Sequence, residues 1–154
     1  VTGTTGSIQL RGHGFATLRN PVDLQPAASG VWVDTGLTVD LPAAGTYQLD
    51  ATVRANMSAG ASANVWVRAH LYDVTAAADV PASEVIVRQV ITTVDTGPED
   101  GGNDSAPILV EYTVTGPSTI RLEGARQITF GDSTAAAIAT GPAGRTTLRW
   151  KRIA

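Results

Sequence analysis

Two histidines, His13 and His70, are the side chains of this 154-residue protein best placed by type for proton transfer or metal binding near neutral pH. They fall on separate predicted strands, with no histidine, cysteine or carboxylate at ligand spacing beside either. Each is therefore expected to be a strand-face histidine with a hydrogen-bond partner. The run GDST at 131–134 sets Ser133 in a nucleophile-like context. It lacks the second glycine and the strand-to-helix turn that expose a serine at a nucleophile elbow. The stretch EDGGND at 99–104 offers Glu99, Asp100, Asn103 and Asp104, all hard oxygen ligands, in an order unlike that of an EF-hand. It reads as a solvated, flexible loop. Glu111 and Glu123 read as ordinary solvent-face carboxylates on separate strands. No pair is nominated for glycoside hydrolysis, which needs two carboxyls roughly 5–10 Å apart. Catalytic residues, metal ligands and cofactors are all expected to be none.

Composition narrows the field further. Hydrophobic residues make up 43% of the chain and charged residues 16%, the balance of a globular rather than a disordered protein. The length suggests one domain, able to bury about 70% of its unfolded surface without a metal or disulfide staple. There is no cysteine, hence no disulfide framework and no thiolate chemistry. A net charge of −3 argues against a nucleic-acid partner, which would need a basic field. No stretch approaches the roughly 18 apolar residues of a membrane helix, so no membrane partner is expected. The basic end, GRTTLRWKRIA, places Arg145, Arg149, Lys151 and Arg152 close together. Thr147, Arg149 and Lys151 alternate there with Leu148, Trp150 and Arg152, as in a terminal strand with a charged outer face.

The elements that must position these side chains are strands. The segment LPAAGTYQLDATVRANM (41–57) alternates Tyr47, Leu49, Ala51, Val53, Ala55 and Met57 with polar residues, a two-residue period with one dry face. Further strands are predicted near 7–18, 31–34, 36–41, 45–57, 64–74, 84–95, 108–115, 119–127 and 145–153, separated by Pro/Gly-rich turns. The alanine-rich runs 74–82 and 133–144 are cut by proline or glycine and read as short loops. Together these predict an all-β antiparallel sandwich. In NVWVRAHLYDV (64–74) the face opposite Val65, Val67, Ala69 and Leu71 holds Trp66, Arg68, His70 and Tyr72. In EVIVRQVITTV (84–94) simple alternation puts Val85, Val87, Gln89 and Ile91 on one face, and Ile86, Arg88, Val90, Thr92 and Val94 on the other. A solvated sheet face should carry a clean polar row, and these do not. The second face is covered within the chain, or buried at a subunit interface, or used for a ligand. Trp66, His70 and Tyr72 are the residues assigned to self-association. Residues 1–6 form either a frayed terminus or an attachment arm with Val1, Thr2, Thr4 and Thr5. Residues 7–154 form the single domain.

The approach GVWVDTGLTVDLPAAGTYQLDATVRANM resembles the C1q/TNF-like jelly roll, in which a strand ends at proline, a small residue and glycine, and an aromatic opens the next core strand. Pro42, Gly45 and Tyr47 are the matching positions. STIRLEGARQ (118–127) and TTLRWKRIA (146–154) extend the likeness more loosely. The texture as a whole, cysteine-free with Ala/Thr/Gly-rich loops and a single lysine, also resembles small bacteriophage virion proteins. These resemblances imply a non-enzymatic virion structural protein, assembled in the host cytoplasm. Its expected role is capsid decoration as a homo-oligomer, a trimer, bound to a major capsid protein or another virion protein. The alternative is a phage tail or fibre protein, or a carbohydrate-binding, receptor-recognition jelly roll in which Trp32, Trp66 or Trp150 stacks on sugar rings.

Overall fold

The computed structural model describes residues 12–93 and 99–154. The predicted arm 1–6, with Val1, Thr2, Thr4 and Thr5, lies outside the described residues. Eleven strands are described: β1 (His13–Thr17), β2 (Val22–Asp23), β3 (Val33–Leu41), β4 (Gly45–Ala59), β5 (Ala63–Asp73), β6 (Ala78–Asp79), β7 (Val85–Thr92), β8 (Asp100–Val114), β9 (Ser118–Phe130), β10 (Ser133–Ala139) and β11 (Thr147–Arg152).

β4 organises one sheet. Its odd residues from Tyr47 to Ala59 have no exposed surface, while its even residues face outward. One edge of β4 pairs with β8 along its whole length, from Gly45↔Val114 to Ala59↔Asp100. The other edge is shared in tandem by β11, along 47–52, and β10, along 54–59. β1 lies beyond β11 and β2 beyond β10. The second sheet runs β3-β9-β5, with β7 and the short β6 also paired to β5. Their apolar faces close on a common core built from Leu41, Tyr47, Leu49, Leu71, Ile120, Leu122, Ile138 and Leu148, among others.

Strand order identifies the topology. The eight principal strands pair from the chain ends inward: β1 with β11, β3 with β9, β4 with β8, and β5 with β7. That is one long hairpin rolled over itself, giving the sheets β1-β11-β4-β8 and β3-β9-β5-β7. This is a jelly roll. The corner before β4 behaves as its residues require. β3 stops at Leu41, before Pro42, which has no N–H to offer a ladder. Gly45 (φ +154°) sits where an added Cβ would stand 2.7 Å from the Ala154 carbonyl oxygen. The buried Tyr47 hydroxyl donates to the Ala43 carbonyl at 2.8 Å, and its ring meets Trp150 edge-on at 5.3 Å.

Several expectations are corrected. Residues 133–139 are a strand, not a loop: Ala136 and Ile138 face the core, and Ile138 fills space that only a glycine at 124 leaves open. The acidic run 100–104 belongs to β8, where backbone pairing to Met57–Ala59 and their neighbours overrides its polar composition. Residues 78–79, in the other alanine-rich run, make a short ladder with β5. The two strands read at 31–34 and 36–41 are one, β3, with an irregular register between Asp34 and Thr38 where Gly36 (φ +77°) turns and its N–H meets Asp34 Oδ1. In β7 a register shift at Val67/Arg68 of its partner strand inserts Val87, so strict alternation fails. Val87 and Val90 are both buried, while Ile86, Gln89 and Ile91 are exposed.

Candidate interaction face

The outward side of the β3-β9-β5-β7 sheet is built row by row. β5 turns its odd residues into the core, so Asn64, Trp66, Arg68, His70 and Tyr72 point out. β9 places Gln127 opposite Trp66, Ala125 opposite Arg68, Glu123 opposite His70 and Arg121 opposite Tyr72. On the other side β7 places Ile91 opposite Asn64, Gln89 opposite Trp66 and Ile86 opposite Arg68. The face thus divides along the strands into a charged half and a neutral half.

In the charged half, His70 Nε2 lies 2.8 Å from Glu123 Oε2, and its Nδ1 is 3.7 Å from Asp79 Oδ1. Arg121 donates from Nε (2.8 Å) and Nη2 (2.5 Å) to Glu123 Oε1 and reaches Asp34 at 3.3 Å. Burial works against the Arg121 charge. The Glu123 carboxylate it clasps overrides that and holds its pKa above the ordinary arginine value. Its guanidinium also lies over the Tyr72 ring, 4.9 Å from the centroid. Trp32, just before β3, lays its indole flat on the His70 ring, with centroids 3.7 Å apart and planes within 6°. Arg68, paired to Glu84 at 2.9 Å, lies over the Trp32 ring, 4.5 Å from its centroid. The small Ala125, on the strand between, leaves room for this crossing. The result is a tied stack, Arg68–Trp32–His70, over a buried carboxylate.

The neutral half is different in kind. Ile91, Asn64 and Phe130 form one row, and Gln89, Trp66 and Gln127 the next. Ile86 and Ile91 are each 57% exposed and Phe130 46%, around a half-buried Trp66. These two rows carry no charged group, and Gln89 Nε2 donates to Asn64 Oδ1 at 2.9 Å.

The structure therefore separates the three residues assigned to self-association. Trp66 and Tyr72 are half-buried and outward-facing. His70 differs from them: it is 2% exposed and its ring lies against the Trp32 indole. Glu123, read as a solvent-face carboxylate, is buried as well. Sequence reasoning missed Trp32 in this stack and the cluster of Ile86, Ile91 and Phe130. The β7 irregularity hid Ile91, which simple alternation put on the face opposite Ile86. No local sequence signal marks the stack, because Trp32 reaches His70 across β9.

The remaining nominated groups lie elsewhere. Ser133 is nearly buried, donating to Gln25 Oε1 (2.8 Å) and accepting from Arg126 Nη1 (3.1 Å). Arg126 also binds Asp132 (2.6 Å) and the Ala27 carbonyl (2.7 Å), so the serine belongs to a tie between loops. Glu99 accepts from the Thr134 hydroxyl, and Asp104 stands 3.9 Å from Arg88. Among the described residues no group of three or more His, Asp or Glu side chains is arranged to hold a metal. His13 and Glu111 are exposed on the other sheet. Trp150 is corrected as a sugar platform, because it is a core residue at 8% exposure, and the Trp32 ring is engaged by His70 and Arg68.

No protein-family model matches the chain, and no curated protein is similar to it at the sequence level. Among solved structures it is similar to the infectious bursal disease virus VP2 subviral particle (14% identity, TM-score 0.44), covering 95% of this chain and 38% of that one. The structure of the infectious bursal disease virus Gt strain gives 12% identity and a TM-score of 0.43, covering 95% and 38%. The T=1 particles derived from the same virus give 13% and 0.44, covering 95% and 37%. The chain thus spans well under half the length of the viral chains it is similar to.

Proposed function

We propose that this chain is a non-enzymatic structural subunit of a virion, a bacteriophage protein that decorates the capsid as a homotrimer after assembly in the host cytoplasm. The observation that carries the reading is the neutral half of the outer face. Interfaces between subunits are depleted of charge at their centre and enriched in aromatic side chains. Exposed Ile86, Ile91 and Phe130 around Trp66 fit that composition. The jelly-roll strand order and the Pro42–Gly45–Tyr47 corner support the resemblance on which the trimer and virion roles rest. Tyr72 and the charged half would form the rim. Attachment to a major capsid protein is assigned to residues 1–6 on sequence alone. Three linked subunits would multiply modest contacts, since each later contact is intramolecular.

Light scattering over a dilution series tests self-association. A mass three times the 15.9 kDa chain is expected for the native protein, and the Ile91→Asp, Phe130→Asp double variant should run as a monomer. Both positions are exposed, so the substitution spares the core. A native monomer removes the trimer. Absence of the chain from gradient-purified particles of the virus encoding it removes the virion role.

A further inference from the structure

The outward face of the other sheet carries a trough of about 470 Å³ between β1, β11 and β4. His13 and Phe15 come from β1, Arg149 and Lys151 from β11, and Gln48 and Asp50 from β4. Register sets them in two rows, His13–Lys151–Gln48 and Phe15–Arg149–Asp50. Phe15 is 62% exposed and has no way back into the core. Beneath it the Trp150 indole fills the space, packed so closely that a Cβ on Gly14 would stand 2.1 Å from Nε1. An aromatic ring is thus fixed in water beside a floor of backbone.

The groups around the ring are planar hydrogen-bonding side chains. Arg149 binds Asp50 Oδ2 through Nε (3.0 Å) and Nη2 (2.9 Å). Asp50 Oδ1, the Gln48 amide, the His13 ring and the Lys151 ammonium have no hydrogen-bond or ion-pair partner among the described residues. Lys151 is the one lysine in the chain. Beside a self-neutralising Asp50–Arg149 pair, it gives the trough a positive balance in a protein of net charge −3.

An aromatic face stacks on the C–H face of a pyranose, and adjacent carboxylate, amide and guanidinium groups bridge vicinal hydroxyls. The unpaired ammonium calls for a carboxylate on the same ring. Asp50 opposes a phosphate, whose double charge would crowd it. We propose that this trough binds a carboxylated pyranose of the uronic-acid type, with Phe15 as the stacking platform and Lys151 as the carboxylate partner. The site is remote from the face assigned to self-association and does not depend on that reading.

The test is an amide-resolved NMR titration of the full chain with methyl β-glucuronide and, separately, methyl β-glucoside. Saturable shifts confined to residues 13–15, 48–50 and 149–151 are expected with the glucuronide. The glucoside should bind about tenfold more weakly, the worth of one charge-assisted hydrogen bond. Phe15→Ala should weaken both sugars, and Lys151→Gln should abolish the preference for the glucuronide. Both positions are exposed, and unchanged signals from the other sheet verify the fold. The proposal is overturned by no saturable shift, by equal affinity for the two glycosides, or by Phe15→Ala binding as tightly as the native chain.

Discussion

Tyr112 shows how one side chain links the two sheets and makes stability depend on pH. It projects from β8 to donate its hydroxyl to Asp73 Oδ2 at 2.9 Å, and Asp73, at the end of β5, is buried. Burial, the hydrogen bond and the Asp73 charge together push the Tyr112 pKa from 10.0 up to about 12. The folded state thus holds the phenol proton more tightly than the unfolded chain. Its stabilising share is complete below pH 10 and is lost as pH rises from 10 to 12. Thermal unfolding followed across that window should show a falling midpoint, and Tyr112→Phe should flatten the fall. His70→Ala makes a different prediction. It opens a space beneath Trp32 and strips a partner from buried Glu123. A loss of about 2–4 kcal/mol in urea unfolding is expected, nearer a core truncation than a surface change. Alternation put His70 on the right face of β5. Its burial, however, depends on a side chain 38 positions away in sequence (70 − 32) crossing a neighbouring strand, which no local pattern contains.

At the scale of elements, the strands legible in the sequence were those with one dry face. β4 and β5 alternate in the primary structure as they do in the sheet, and β9 does so over its first five residues. β10 and the start of β8 were illegible because nothing in Ala135–Ala137 or Asp100–Asp104 favours a strand intrinsically. Their conformation comes from β4, whose 15 residues extend far enough to template both. β10 also shows how tightly the sheets are matched. A Cβ at Gly124 would stand 2.6 Å from Ile138 Cγ1. Gly124→Ala should therefore cost about 1–3 kcal/mol by overpacking. Ile138→Ala should cost about 2–5 kcal/mol alone. In the double variant the two losses should sum to less than their separate values, because each relieves the other's misfit. A denaturant double-mutant cycle measures the difference, and strict additivity would mean that the sheets shift apart to absorb the methyl.

For the whole molecule, the rolled-hairpin topology makes nearly every stabilising pair distant in sequence, from Val85 with Ala69 near the tip to His13 with Lys151 at the base. Loop closure must precede reward in such a chain, so refolding from urea should relax in milliseconds to seconds rather than microseconds. Stopped-flow fluorescence would register it. The fold class was legible because strand spacing, turn chemistry and the Pro42–Gly45–Tyr47 corner agree. The division of the outer β3-β9-β5-β7 face into a charged and a neutral half was not, since it depends on which strands become neighbours. One feature of the base has a mechanical meaning. Gly12 accepts from the Arg152 N–H at 3.1 Å, and β1 and β11 run antiparallel from that point. A load applied between residues 12 and 154 acts first on the Thr46 bonds to Ile153 and Ala154 and then across the first rung of the ladder, opening it one bond at a time, like a zipper. A load applied between residue 12 and Thr147, at opposite ends of the β1–β11 ladder, must shear its rungs together. The fold is therefore weak when loaded between residues 12 and 154 and strong along the β1–β11 ladder, so tethers at those two residues would make it a release element rather than a strut.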